Sequence, residues 1–337
     1  MSMDGADGAT RRLLVTCTAV LLSLAVACGC GASPAPENGD PFLLSLADRV
    51  DASRMMGTIE YLCGDELGGR PAGSPQSALV EEYLAGRLEE LGLQPVAPLG
   101  ISGYRQDFPV PAERCFLEEE TRADQAVTAS NILGMIPGEG DEMVIITANY
   151  DGIGKDPESG AVYPGADYNA SGVGALVEVA TILSSLQEPP RRHVVFALLG
   201  AEECGSYGSS ALASLLEEKG MRESARVINL EGLGAGDGDY MDVWDLNYRR
   251  NRETVRALED AADLLGVTLE LGGEDPGSSA GTFFLYHIPA VTCDWSWFNR
   301  DEHPDFHLTT DTPERINREG LRKATRVVSV AAWMLAG

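Results

Sequence analysis

The sequence predicts one α/β domain, with a central mixed, mostly parallel β-sheet flanked by helices on both faces. Apolar strand-like segments alternate with amphipathic helical segments along residues 44–337, as in strand–helix–strand units. Several of the apolar segments end in acidic or amide side chains, and no repeat or linker divides them. The chain has 337 residues, and its 44% hydrophobic content is enough to bury one large core.

The first part of the domain is predicted to be helical. Apolar residues recur at helical spacing over residues 41–63 and again over 77–91. A loop rich in Gly and Pro lies between these two segments. Its composition is typical of a plain connector and equally of the wall of a site.

The middle of the domain alternates between strands and helices. Predicted strands cover residues 104–110, 129–136, 143–148, 193–199 and 226–230, and helical stripes cover 173–186 and 211–216. Polar side chains follow the last three strands: Asn149 and Asp151, then Glu202 and Glu203, then Glu231. Ligands of parallel sheets bind at the carboxyl ends of strands, so these side chains mark a candidate site.

The last part of the domain continues the same pattern. Residues 249–265 and 314–335 are predicted helices, and residues 267–271 and 290–295 are predicted strands. Residues 278–286 fit either a helix or a strand.

The amino terminus has the layout of an export signal. Two arginines precede an apolar stretch and then small residues, so residues 1–30 are predicted to be a signal peptide of lipoprotein type, with Cys28 the lipidated residue. Residues 31–43 read as a flexible tether. We therefore expect an exported protein, either a cell-envelope lipoprotein or a periplasmic or extracellular protein.

The charge balance restricts the partners. A formal net charge of −27 repels nucleic acid and anionic lipid headgroups. We expect no nucleic acid partner, and membrane attachment only through an N-terminal lipid anchor. The oligomeric state is left open.

Four carboxylates are predicted to converge at one edge of the sheet: Asp167, Glu202, Glu203 and Glu231. Their mutual repulsion requires either a bound cation or raised pKa values. Of the four histidines, His307 is the better candidate for a neutral imidazole ligand, and His303 in the same loop could also reach the edge. These residue types predict a metal site.

Several segments, in order, carry a family resemblance. They read GRPAGSPQSALVEEYLAGRLEELGLQP, SNILGMIPG, ITANYDGIG, PGADYNASGVGALVEVA, FALLGAEECGSYGS, INLEGLG and FHLTTDTPERI. Together they resemble the zinc aminopeptidases of peptidase family M28 and the glutaminyl cyclases built on the same fold. The resemblance covers about residues 44–330 and implies the fold of zinc exopeptidases.

The resemblance also implies residue roles. By position, Asp167 is similar to the carboxylate that bridges two metals, Glu203 and His307 to the other ligands of one zinc, and Glu231 to a ligand of the second. Glu202 resembles the general base. Two further acids, Asp151 and Asp311, are expected to support these ligands.

The sequence departs from the family pattern at the first metal position. Asn149 stands where active relatives have histidine, and an amide oxygen is a poor zinc ligand beside an imidazole nitrogen. In addition, Tyr168 stands where an acid is usual, and Glu231 where aspartate is common. We therefore expect one tightly bound zinc, with the second weak or absent.

Three functions follow from these observations. The leading hypothesis is an exported zinc exopeptidase that hydrolyses N-terminal residues of peptides with Glu202 as general base. The first alternative is a one-zinc glutaminyl cyclase acting on N-terminal glutaminyl substrates, with the set Asp167, Glu203 and His307. The second is a catalytically silent lipoprotein that binds peptides or a metal.

Overall fold

The described part of the chain is built on one mixed sheet of eight strands. The computed structural model describes residues 40–117, 126–235, 240–273, 277–295 and 303–337. The strands are β1 Arg105–Val110, β2 Val127–Ile136, β3 Met143–Asn149, β4 His193–Leu199, β5 Ala225–Leu230, β6 Tyr240–Trp244, β7 Thr268–Gly272 and β8 Ala290–Asp294. The predicted signal peptide, Cys28 and residues 31–39 of the predicted tether lie outside these residues.

Helices cover both faces of the sheet. They are α1 Pro41–Ala47, α2 Ala52–Leu62, α3 Pro75–Glu90, α4 Gly172–Ser184, α5 Tyr207–Glu218, α6 Tyr248–Leu265, α7 Ser279–Leu285 and α8 Arg318–Ala336. Along β3, Val144, Ile146 and Ala148 pack into one buried cluster, whereas Met143 and Ile145 pack into another. This alternation places a core on each face of the sheet, as the period-two pattern of a doubly covered strand requires.

The strand order places the candidate site. The order is β1-β2-β4-β3-β5-β8-β6-β7, and the central strands β4, β3, β5 and β8 run parallel. The remaining pairings, apart from β6 with β7, are antiparallel. The carboxyl ends of the central strands therefore meet at one edge, and the predicted α/β architecture is confirmed.

Two local predictions differ from the structure, and one open assignment is settled by it. The segment 41–63 is two helices rather than one, because Asp51 caps α2 by accepting a hydrogen bond from the backbone N–H of Ser53. α1 begins at Pro41, inside the segment predicted as a tether. The ambiguous segment 278–286 contains α7, which Ser278 caps in the same way.

Strand β6 was not predicted. Its five residues include the acidic Asp242 at the centre, which breaks the apolar pattern of a buried strand, yet the strand is mostly buried. None of the described helices combines the length and the apolarity that crossing a membrane requires.

Candidate active-site cleft

The cleft lies at the carboxyl ends of the central strands, and an irregular helical turn forms one of its walls. This turn, Ala166–Ser171, follows Gly165 and leads into α4. The buried carboxylate of Asp311 accepts hydrogen bonds from the backbone N–H groups of Asp167 (2.8 Å) and Tyr168 (3.1 Å). Asp311 therefore holds the turn in place. Burial, reinforced by the charge of Asp167, raises the pKa of Asp311 to about 7.

Asp167 points away from the cleft. One carboxylate oxygen accepts a hydrogen bond from the backbone N–H of Gly234 (2.7 Å), and the other lies 2.7 Å from Nδ1 of His303. The second ring nitrogen of His303 lies 3.1 Å from a carboxylate oxygen of Asp294. Asp167 was predicted to bridge two metals. In the structure it instead belongs to a buried ion cluster behind the turn.

His303 carries the positive charge of this cluster. Burial works to lower its pKa, but the hydrogen bonds and charges of Asp167 and Asp294 outweigh burial and raise the pKa to about 10. The structure places His303 against Asp167 and Asp294, and His307 beside Glu203 in the cleft.

Tyr168 lines the cleft and contacts Glu231. Its hydroxyl donates a hydrogen bond to Oε2 of Glu231 (2.8 Å), and its ring packs edge-on against Phe306 with centroids 4.5 Å apart. Tyr168, Glu203 and His307 line the same narrow cavity, whereas Asp167 does not. Burial, followed by the charge of Glu231, holds the pKa of Tyr168 well above its ordinary value, so the phenol stays protonated.

Glu231 is held by several donors besides Tyr168. Its Oε1 accepts hydrogen bonds from Nδ2 of Asn229 (2.7 Å) and from the backbone N–H of Ser279 (3.2 Å). Glu231 is 4% exposed. Donors of the protein thus meet the hydrogen-bonding capacity of this buried carboxylate.

The turn after β4 holds two glutamates in different settings. Buried Asp151 accepts hydrogen bonds from the backbone N–H groups of Glu202 and Glu203, both at 3.1 Å, and thereby shapes the turn. Burial, with the charges of Glu203 and Glu202, raises the pKa of Asp151 well above its ordinary range. A Cβ at Gly200 would stand 2.5 Å from the carbonyl oxygen of Ser130, so the turn requires glycine there.

Glu202 is tied to the starts of two helices. Its carboxylate accepts hydrogen bonds from the backbone N–H of Ser209 in the first turn of α5 (2.6 Å) and from the hydroxyl of Ser279 in α7 (2.6 Å). Burial raises the pKa of Glu202, although these hydrogen bonds oppose the shift. Glu202 thus serves as a helix cap in this arrangement, which is the ordinary role of an acid at a strand end.

Glu203 faces the cleft. Nε2 of His307 lies 3.2 Å from its Oε2, and Nδ2 of Asn149 donates a hydrogen bond to its Oε1 (3.3 Å). The amide oxygen of Asn149 accepts a hydrogen bond from Nδ2 of Asn169 (2.7 Å). The opposite amide orientation would direct the oxygen of Asn149 at a carboxylate. Asn149 therefore acts as a donor to Glu203.

The donor set does not fit the zinc centre that the resemblance implies. Among the described residues, no group of three or more His, Cys, Asp or Glu side chains has an arrangement that could hold a metal ion. Glu203 and His307 meet, but Asp167 is directed to His303 and Glu231 to Tyr168. A catalytic zinc needs three protein ligands around one point. The expected set Asp167, Glu203 and His307 is therefore not assembled.

The sequence did not allow two features of the site to be predicted. The first is the direction of Tyr168, since residue order alone does not say which of two neighbours in an irregular turn faces the cleft. The second is Arg70, which is fully buried and donates to the carbonyl oxygens of Leu62, Tyr150 and Pro164. An arginine inside a loop rich in Gly and Pro was the only signal for it.

Comparison with known proteins gives the family context. The chain is 28% identical over 222 residues to aminopeptidase YwaD of Bacillus subtilis, which covers 61% of this chain and 44% of that protein. It is 32% identical over 162 residues to a probable zinc metalloprotease of Pyrenophora tritici-repentis, covering 44% of this chain and 31% of the relative. The chain spans between 44% and 63% of the length of the first curated relatives it matches.

Solved structures share the fold. A zinc aminopeptidase from Bacillus subtilis superposes with a TM-score of 0.67 at 18% identity, covering 85% of this chain and 95% of that chain. A glutaminyl cyclase from Fimbriiglobus ruber superposes with a TM-score of 0.65 at 20% identity, covering 85% of this chain and 95% of that chain. At these identities the likeness shows the fold.

The match to a family model decides membership. The model described as Peptidase family M28 matches residues 131–332, which include the central strands and the turns that carry the cleft residues. Peptidases are hydrolases, and zinc is the metal named for several relatives. The chain belongs to peptidase family M28.

Proposed function

We propose that this chain, a member of a hydrolase family, binds the free amino-terminal end of a peptide in the acidic cleft. Family membership supports a peptide as the ligand. The half-exposed His307 and the carboxylate of Glu203 both line the cleft, and the carboxylate would attract a cationic amino group.

One observation carries this proposal. Tyr168, rather than Asp167, shares the cavity with Glu203 and His307, and its hydroxyl is bonded to Glu231. A protonated phenol that donates to a carboxylate stabilises the carboxylate by a hydrogen bond. Asn149 likewise donates to Glu203. These polar groups of the cleft therefore form hydrogen bonds with one another.

A second candidate is the hydrolase of the leading sequence hypothesis. The relevant observation is Glu202, whose burial raises its pKa next to the cleft-facing Glu203. A carboxyl with a raised pKa is suited to hold a proton near neutral pH. The same residue would shuttle protons in a glutaminyl cyclase, for which the fold likeness is the support.

Metal content and peptide binding separate these candidates. Protein purified with added zinc and without chelators should hold well below one zinc per chain by elemental analysis. Tyr168→Asp brings a carboxylate into the cleft beside Glu203 and His307, so that variant should hold more zinc than wild type. In calorimetry, trialanine should bind and N-acetyl-trialanine should bind at least about tenfold more weakly, since acetylation removes the charge.

Other results favour the second candidate. One zinc per wild-type chain, together with release of N-terminal residues that Glu202→Gln abolishes, would establish a zinc hydrolase. If the wild type binds neither trialanine nor N-acetyl-trialanine, the peptide-binding proposal is refuted. Glu203→Gln, which keeps the size of the side chain, should weaken trialanine binding if the carboxylate recognises the amino group.

We also propose that the protein is exported and lipidated at Cys28. The apolar stretch before small residues and Cys28 supports this proposal. Metabolic labelling with a fatty acid in a bacterial host should label the wild type and not Cys28→Ser. Equal labelling of the two would assign the lipid to another residue, and no labelling would leave the protein without a lipid anchor.

A further inference from the structure

A groove lined by arginines lies at the edge of the sheet opposite the cleft. Strands β3, β4 and β5 begin at this edge, and β6 ends there because it runs antiparallel to β8. The groove has a volume of about 540 Å³. Five arginines contribute to its lining: Arg226, Arg249, Arg250, Arg252 and Arg256.

Three of these arginines form no ion pair with any residue that the structure describes. Arg226 pairs with Glu253 (3.1 Å) and Arg250 with Glu223 (2.9 Å). Across the part of the chain that the structure describes, no ion pair involves the exposed residues Arg249, Arg252 or Arg256. They lie on one face of α6 at helical spacing, and all three line the groove.

The groove stays cationic in spite of the acidity of the whole chain. Its lining also includes Glu253 and Asp260, which leaves the arginines in excess. At physiological ionic strength charges are screened over about 8 Å, so the carboxylates at the far edge of the sheet contribute little here. The helix dipole of α6, whose first turn carries Arg249 and Arg250, adds to the positive potential.

We propose that this groove binds a phosphate-bearing anion, supplied either as a free phosphate compound or as a lipid headgroup. Guanidinium groups present paired N–H donors that match the oxygens of phosphate. The apolar side chains of Met334 and Leu335 share the lining and would contact the organic part of such a ligand. The groove is separate from the cleft, so this proposal does not depend on the proposed function.

A charge-removing triple variant tests the groove. In Arg249→Gln/Arg252→Gln/Arg256→Gln the helix propensity is nearly kept, because Gln and Arg are similar helix formers. The matched control, Arg87→Gln/Arg318→Gln/Arg322→Gln, changes the net charge equally on other exposed helical sites. The probes are sodium phosphate in calorimetry and phosphatidylglycerol vesicles in co-sedimentation, with phosphatidylcholine vesicles as the neutral reference.

We expect wild type and control to bind at least one anionic probe at low salt, and the groove variant to bind it at least about tenfold more weakly. Vesicle binding without phosphate binding would identify the headgroup as the source, and the reverse would identify a free phosphate. Equal losses in groove and control variants, or no binding of either probe by wild type, would overturn the proposal.

A second measurement uses the wild-type protein, so it tests the proposal even if the groove variant does not fold. Phenylglyoxal modifies accessible arginines of the wild-type protein, and mass spectrometry locates the modified residues. The bound anion, tested with the probe that binds, should protect Arg249, Arg252 and Arg256 but not the exposed Arg318. Protection of none of the three, or equal protection of Arg318, would refute specific binding in the groove.

Discussion

Asp167 and Tyr168 are neighbours in one turn, and their side chains leave it in opposite directions. Asp167 meets His303 behind the turn, whereas Tyr168 meets Glu231 in the cleft. The sequence predicted which segments supply the site, since Glu203 and His307 do meet. It could not predict the direction of each side chain in an irregular turn, because that depends on backbone angles set by contacts such as the one with Asp311.

The hydroxyl of Tyr168 is expected to stabilise the fold through Glu231. Tyr168→Phe removes one donor from a carboxylate that is 4% exposed. Removing one partner of a buried charged group costs about 1–2 kcal/mol of unfolding free energy. Urea denaturation of wild type and variant measures this difference.

Tyr163→Phe is the matched control for Tyr168→Phe. Its hydroxyl donates to the partly exposed Asp156 (3.0 Å), whose oxygen is reachable by water after the substitution. We expect a loss below about 0.5 kcal/mol there. Equal losses of unfolding free energy in the two variants would mean that the Tyr168–Glu231 hydrogen bond stabilises the fold no more than the Tyr163–Asp156 hydrogen bond.

His193 gives the protein a pH dependence at a site remote from the cleft. Its Nδ1 accepts a hydrogen bond from the backbone N–H of Gly138 (2.8 Å), which requires the neutral ring, and burial lowers its pKa. Below the unfolded-state pKa of about 6.5 the unfolded chain binds the proton more tightly. The contribution of the neutral His193 to the unfolding free energy is therefore complete above that pH and is lost as the pH falls.

His193→Asn tests this pH dependence because an amide oxygen can accept from Gly138 without titrating in this range. Between pH 7 and pH 5, the wild type should lose more unfolding free energy than the variant. Chemical denaturation at each pH measures the difference. Parallel losses in the two proteins would assign the pH dependence to other groups.

The loop between α2 and α3 is a structural element of the site. Its Arg70 is fully buried, and its guanidinium donates to carbonyl oxygens at the end of α2, after β3 and just before the Asp167 turn. From the sequence, the composition of this loop was typical of a connector and equally of the wall of a site. The structure shows a loop that fastens three segments around the cleft.

Arg70→Met should destabilise the protein by at least about 3 kcal/mol, since several buried carbonyl groups lose a charged donor together. Arg87→Met is the control, because Arg87 is exposed and pairs with Glu90 on the helix surface. Its expected loss is below about 1 kcal/mol. Thermal unfolding of both variants measures the contrast, and similar losses would show that Arg70 contributes no more than a surface arginine.

Among the other elements, those with a continuous apolar run were predicted, and those that depend on a local cap or on a neighbouring strand were not. Long apolar segments such as β3 and β4 were predicted because burial on both faces leaves a continuous apolar run. The break between α1 and α2 was not, because apolar spacing continues across it while Asp51 provides the local cap. β6 carries an acid at its centre, so its inclusion in the sheet depends on the strand beside it.

At the scale of the whole molecule, unlike charges lie at opposite edges of the sheet. The cleft glutamates stand at the carboxyl ends of the central strands, and the arginine groove stands at their amino ends. The whole-chain charge of −27 implies a repulsive field among the remaining carboxylates. Composition predicted that field, and the fold adds Arg226 of β5 to the four groove arginines that are already close together in the sequence of α6.

Because compaction brings these carboxylates together, salt should stabilise the folded state. Raising NaCl from about 0.02 M to about 0.5 M shortens the screening length from roughly 20 Å to roughly 4 Å, which weakens repulsion between surface charges. We expect the midpoint of thermal unfolding to rise by a few °C, near the shift that about 1 kcal/mol produces in a domain of this size. Choline chloride should give the same rise, since screening depends on ionic strength. A rise confined to NaCl would instead indicate specific cation binding, and a fall in both salts would show that attractive ion pairs outweigh the net repulsion.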